Sequence, residues 1–221
     1  MAATQTFSIT DAIVVCNGDI GLTKHQFRSM IEEDPFLVAA DGGANRLRRW
    51  KIRPHLMIGD LDSVIPLTKR IFSDVETIFL PDQDSTDLEK ALDYLVEHHY
   101  KRAAVFGATG NQLDHTLANI SILLKYRERI DLVLKDAMFD IFFAGREKTI
   151  PARVGQRISL MPACFCRGIV TEGLKYPLKN EAMEFGVREG VSNEAVADSV
   201  TVRVAEGDLL MMVQREPAPA V

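Results

Sequence analysis

The chain has 221 residues, 47% of them hydrophobic and 26% charged, and a formal charge of −5. This balance excludes a disordered or fibrous chain, while the length leaves one large domain or two small ones open. The acidic charge argues against nucleic acid or an anionic membrane as partner. The longest apolar runs, 12–16 and 209–213, are far too short to span a bilayer. Cys16, Cys164 and Cys166 lack zinc-knuckle spacing and read as reduced thiols in the cytoplasm, with Cys16 a small core residue.

In chain order, residues 12–16, 36–40, 56–58 and 77–80 read as short apolar strands. Leu88, Ala91, Leu92, Leu95 and Val96 then recur at helical spacing, and Thr86 followed three residues on by Glu89 marks the start of that helix with a capping box. Residues 103–106 are the next strand, followed by the loop Gly107-Ala108-Thr109-Gly110-Asn111. A helix over 114–125, with Leu117, Ile120 and Leu124 on one face, and a strand at 132–134 complete the alternation. Strands alternating with helices predict an α/β domain built on a parallel sheet. Beyond residue 144 the pattern becomes strand-like runs at 157–161, 169–171, 200–204 and 209–213, separated by turn residues and without a helix. The expected domains are therefore 1–144, α/β, and 145–221, small and all-β, with a frayed tail at 216–221.

Every strand of a parallel sheet delivers its following loop to the same edge, so residues after successive strands converge. That edge is acidic: Asp41 follows the second strand, Asp60 and Asp62 the third, and Asp82, Asp84 and Asp87 the fourth. A lone aspartate after a strand is most often a turn former or helix cap. Clustered carboxylates, however, repel and raise one another's pKa unless a cation neutralises them. Magnesium suits such a set, because it takes oxygen ligands and binds through a few carboxylates together with substrate phosphates. Gly107 and Gly110 frame a loop whose backbone N–H groups can hold an anion, although a tight turn into the helix accounts for it equally well. It has neither a Walker ending nor a dinucleotide fingerprint. The five histidines, at 25, 55, 98, 99 and 115, show no metal-ligand spacing.

The strings Ala40-Asp41-Gly42-Gly43-Ala44-Asn45, Gly59-Asp60-Leu61-Asp62-Ser63, Pro81 to Asp87 and Leu113-Asp114-His115-Thr116-Leu117-Ala118-Asn119 resemble, in order and spacing, the signature of the thiamine pyrophosphokinase family. Gly173 to Leu178 and Ser192-Asn193-Glu194 are similar to the thiamine-side motifs of that family, so the resemblance covers nearly the whole chain. It implies an N-terminal α/β domain for Mg-ATP, a C-terminal β-sandwich, and a homodimer holding thiamine where the subunits meet. It also implies that Asp60, Asp62 and Asp87 are magnesium ligands and catalytic. Asp41, Gly42, Gln83, Asp84 and Thr86, with Gly107, Gly110 and Asn111, fall on the nucleotide side. Asp114 would organise substrate at the mouth of the cleft, and Tyr176, Ser192 and Asn193 would contact thiamine. The chain departs from many relatives at Asn111-Gln112, where they carry Gly-Arg. Either another cation, such as Lys175 or Arg46, replaces that guanidinium, or nucleotide binding is weaker. Two other readings keep the acidic site: a metal-dependent phosphohydrolase, and a non-catalytic sensor of nucleotide or thiamine diphosphate.

Overall fold

The computed structural model describes residues 11–110 and 112–215, so Asn111 and the 216–221 tail lie outside the described residues. The chain divides into two compact units that meet in sequence at Ala137 and Met138.

In the first unit, β1 (Ala12–Val15), α1 (Lys24–Met30), β2 (Phe36–Ala40), α2 (Gly43–Trp50), β3 (Leu56–Gly59), α3 (Pro66–Ile71), β4 (Glu76–Phe79), α4 (Asp87–Glu97), β5 (Arg102–Phe106), α5 (Leu113–Tyr126) and β6 (Asp131–Lys135) follow one another. The strands lie in the order β6-β5-β1-β2-β3-β4, all parallel. Strands β1, β3 and nearly all of β2 and β5 are buried, which is why they read as continuous apolar runs rather than as alternation. Strand β4 is the edge and is mostly exposed. The order reverses at β1, whose neighbours are β2 on one side and β5 on the other. That is the crevice where open α/β sheets bind ligands.

The six strands expected here all form, with ends within one residue of the expected ones. The capping box at Thr86 and Glu89 is present and starts α4, which buries Leu88, Ala91, Leu92 and Leu95. Helix α5 forms as well, but it buries Ile122, Leu123 and Tyr126, whereas Leu117 is exposed. The Tyr126 ring settles the helix by packing inward, its hydroxyl donating to the Glu89 carbonyl at 3.3 Å. Helices α1 and α3 give no period in the sequence because they are seven and six residues long and bury one residue each, Phe27 and Thr68.

The second unit contains β7 (Phe139–Phe143), β8 (Glu147–Pro151), β9 (Arg157–Pro162), β10 (Cys166–Glu172), β11 (Lys179–Met183), β12 (Gly190–Glu194), β13 (Ser199–Glu206) and β14 (Leu209–Gln214), with no helix among its described residues. They pair antiparallel in two groups, β12-β9-β14-β7 and β11-β10-β13-β8. Val200, Val202 and Val204 of β13 are buried while the residues between them are not, the one-sided patterning of a sheet in a β-sandwich. Strand β7 ladders with β14, Phe142 opposite Met211, so it belongs to this unit although it precedes residue 145. Among the described residues no helix is long and apolar enough to cross a membrane.

Candidate active site

The site is built on the carboxyl ends of β2 and β3 and on the first turn of α4. Asp41 directly follows β2 with a φ of 41°, its N–H donating to the Ile58 carbonyl at 2.9 Å. It is buried, and its Oδ1 accepts from the Ser63 N–H at 3.2 Å. Gly59 ends β3 at a φ of 137°, a conformation open to glycine and to almost no other residue. A Cβ there would lie 2.7 Å from Asp87 Oδ1, so the missing side chain is what lets Asp87 approach. Asp60 follows, its Oδ1 accepting from the Asp62 N–H and its Oδ2 from Gln83 Nε2, both at 3.2 Å. The Asp62 N–H, then Gln83, hold the Asp60 carboxyl below the usual carboxylate range.

Asp87 opens α4, and its Oδ1 accepts from the Asp60 N–H and from Lys90 Nζ, both at 3.4 Å. Burial pushes its carboxyl up; Asp41 and Asp60 push the same way, and Lys90 opposes them. One oxygen each from Asp41, Asp60 and Asp87 lies within 4.8 Å of the others. Three carboxylates this close, with Lys90 paired to Asp87 only, form an oxygen donor set that fits a hard divalent cation. Asp62 is outside this group: it is exposed on the same turn, where its Oδ1 accepts from the Ser63 hydroxyl at 3.0 Å.

The remaining candidates fall around these three. Gln83 reaches Asp60, and Asp84 turns back through its N–H onto Asp82 Oδ1 at 3.3 Å. The Thr86 hydroxyl serves the helix cap, accepting from the Glu89 N–H at 3.2 Å. Gly107, at a φ of 67°, lies against the loop after β1, where the Gly18 N–H donates to its carbonyl at 2.8 Å. Gly42 faces the Asn17 side chain so closely that a Cβ would lie 2.4 Å from it. Gly110 is exposed, and Asp114 is exposed in the first turn of α5, its Oδ1 accepting from the His115 N–H at 2.9 Å. Burial first, with the Asp87 charge adding to it, pushes the Cys16 thiol up to about 12, so it stays protonated and inert.

Three residues of this site have roles that the motifs do not give. Asn45 braces the turn carrying Asp60 and Asp62, its Oδ1 accepting from the Ile65 N–H at 3.2 Å and its Nδ2 donating to the Ser63 carbonyl at 2.8 Å. Asn17 covers Gly42. Lys90 is buried beside Asp87; its one signal in the sequence is a charge on the otherwise apolar inner face of α4.

In the second unit Tyr176 is exposed at 65%, with Lys175 Nζ 5.7 Å from its ring centroid. Asn193 is buried, and its amide is engaged by main chain: Oδ1 accepts from the Tyr176 N–H at 3.1 Å and the Glu194 N–H at 2.9 Å, while Nδ2 donates to the Tyr176 carbonyl at 2.8 Å. Asn193 thus holds the Tyr176 backbone. Ser192 is exposed at a φ of 60°, its N–H donating to Ser159 Oγ at 3.0 Å. Neither cation considered as a replacement for the guanidinium at Gln112 is without a partner: Lys175 pairs with Glu194 at 2.8 Å, and Arg46 lies 5.8 Å from the Trp50 ring centroid.

An open parallel α/β sheet with a carboxylate trio at the carboxyl ends of its strands defines the class: an α/β protein whose sheet edge carries donors that could serve a hard cation. Comparison with known proteins narrows this. The family description "Thiamin pyrophosphokinase, catalytic domain" matches residues 27–134, and "Thiamin pyrophosphokinase, vitamin B1 binding domain" matches residues 147–209. The chain is 30% identical over 210 residues to thiamine pyrophosphokinase 3 of Oryza sativa subsp. japonica, covering 80% of this chain and 77% of the relative. It is 29% identical over 190 residues to the Bacillus subtilis thiamine pyrophosphokinase, covering 82% and 88%. Among solved structures, that of thiamin pyrophosphokinase from Geobacillus thermodenitrificans superposes with a TM-score of 0.82 at 28% identity, over 95% of this chain and 99% of the other. The chain belongs to the thiamine pyrophosphokinase family.

Proposed function

We propose that the chain transfers the terminal diphosphate of ATP to the hydroxyl of thiamine, giving thiamine diphosphate and AMP. The observation that carries this reading is the Asp41, Asp60 and Asp87 cluster at the sheet edge of a chain matched to the family in both of its units. Asp41, Asp60 and Asp87 would hold magnesium, with Asp62 a further carboxylate on the same turn. When bound, the ion would neutralise phosphate charge as the transfer proceeds. Backbone N–H groups of the 107–110 loop offer donors to the phosphates. Gln83, Asp84 and Thr86 shape the nucleotide side of the turn, and Asn111 is assigned to the same side from its place in the glycine loop of the sequence.

The thiamine hydroxyl attacks the β-phosphorus in line, a cleft carboxylate accepts its proton, and AMP leaves. Most of the rate then comes from positioning and charge neutralisation. The exposed face of Tyr176 would stack on the cationic thiamine rings. Ser192 would lie beside it, Asn193 would fix its backbone, and Asp114 would organise substrate at the mouth of the cleft. A homodimer with thiamine shared between subunits, in a reducing cytoplasm that suits the free Cys16, Cys164 and Cys166, completes the proposal. The comparisons give no support to a phosphohydrolase or a sensor.

Phosphorus NMR of ATP, magnesium and thiamine with the purified protein tests this. AMP and a new diphosphate ester are expected to appear together and only with thiamine. Orthophosphate or inorganic pyrophosphate growing without thiamine would mean hydrolysis instead.

A further inference from the structure

Lys90 is the one lysine on the inner face of α4, 5% exposed among Leu88, Ala91, Leu92 and Leu95. Burying an ammonium is unfavourable unless each of its donors finds a partner. All three do: Nζ donates to the carbonyls of Leu80 and Asp82, both at 2.9 Å, and to Asp87 Oδ1 at 3.4 Å. These acceptors are the first and third residues of the turn between β4 and α4, and the residue that opens α4. The same turn is tied at its entry by the Leu80 N–H to the Gly59 carbonyl at 2.9 Å and at its exit by the capping box. Between those ends, Lys90 is the tie to the helix.

We infer that Lys90 is the positioning residue of the acidic site: its ammonium binds the 80–87 turn to α4 and thereby fixes where Gln83, Asp84 and Asp87 are presented. With its three donors committed and its surface covered, Lys90 contacts no substrate. It acts through Asp87, whose Oδ1 it shares with the Asp60 N–H, and through Gln83, which reaches Asp60 from the tethered turn. The inference rests on reading the carboxylate trio as the metal and phosphate site.

Lys90→Met keeps the bulk of the stem and removes the ties. Three readouts decide: amide hydrogen exchange across 80–87 in the ligand-free protein, Mn2+ binding by electron paramagnetic resonance, and steady-state kinetics. Exchange across 80–87 is expected to rise roughly tenfold while the central strands keep their protection. Mn2+ affinity and kcat are each expected to fall by about tenfold to a hundredfold, as when a group orienting a metal ligand is lost, with the thiamine KM held within about twofold. Should Lys90→Met not fold, Lys90→Arg is the second variant: it keeps the charge, but a flat guanidinium cannot converge on three acceptors, so smaller changes in the same directions are expected. Unchanged exchange across 80–87 together with unchanged Mn2+ affinity overturns the inference, even with a lowered Tm, and so does a raised thiamine KM at constant kcat. A wild type that forms no AMP with thiamine sinks the functional reading instead, while the exchange and Mn2+ arms still decide on Lys90.

Discussion

Gly59→Ala perturbs the site without touching a carboxylate. The new Cβ would lie 2.7 Å from Asp87 Oδ1, 3.0 Å from its Cγ and 3.3 Å from the Asp41 Cβ. Ordinary contact begins near 3.4 Å, so Asp87 must retreat by about 0.7 Å or the strand end must move. Asp87 is not free to swing, because Oδ1 is held by the Asp60 N–H and Lys90. Alanine at a φ of 137° adds strain of about 1–3 kcal/mol, which for a chain of this length lowers Tm by roughly 2–12 °C. A displacement approaching 1 Å at a reacting group is worth up to about a hundredfold in rate, so kcat is expected to fall by about tenfold to a hundredfold. Thermal unfolding and thiamine-dependent AMP release, measured on one preparation, check both. A variant with the lower Tm but wild-type kcat and magnesium dependence would refute the placement of Asp87 in the reacting site.

The pH dependence of stability follows from the opposite displacements of two carboxyls. Asp87 is raised by burial, so its contribution in the metal-free protein is largest at low pH and is lost as pH rises through its folded pKa; Asp60 is lowered, so its contribution is lost as pH falls. The stability of wild type relative to Asp87→Asn, from urea midpoints without magnesium, is expected to decline from pH 4 upward, and a rise would contradict the assignment. Tyr176→Ala is expected to raise the thiamine KM roughly tenfold at nearly constant nucleotide affinity, the worth of one stacked cation. Asn193→Ala is expected to do the same with a lower Tm, because it frees the Tyr176 backbone and leaves partly buried main-chain groups unpaired. Gln112→Arg is expected to lower the KM for ATP, since one charge-assisted phosphate contact contributes about 1.5–3 kcal/mol at best; a flat or raised KM means another cation already fills that position.

Much of the first unit was legible because its strands are buried on both faces and so read as apolar runs, and because the Thr86 and Glu89 box marks where α4 begins. The convergence of Asp41, Asp60 and Asp87 followed from the common edge of parallel strands. Which carboxylates meet did not: the sharp turn at Leu61, with a φ of 58°, directs Asp60 inward and leaves Asp62 exposed, and nothing in the spacing of the string distinguishes them. Lys90 was hidden because a lysine on a helix is ordinarily solvated, and its acceptors are carbonyls that no sequence pattern displays. Asn193 carried a motif but not its role, since an amide that closes on backbone looks in sequence like one that waits for a ligand.

The central claim is that Asp41, Asp60 and Asp87 together hold the ion that serves phosphate transfer. Diffraction at the manganese edge from crystals grown with Mn2+ and a non-hydrolysable ATP analogue addresses it most directly. The account predicts an anomalous peak ligated by these carboxylates and by phosphate oxygens of the analogue; a peak that touches none of the three, with the analogue bound elsewhere, would contradict it.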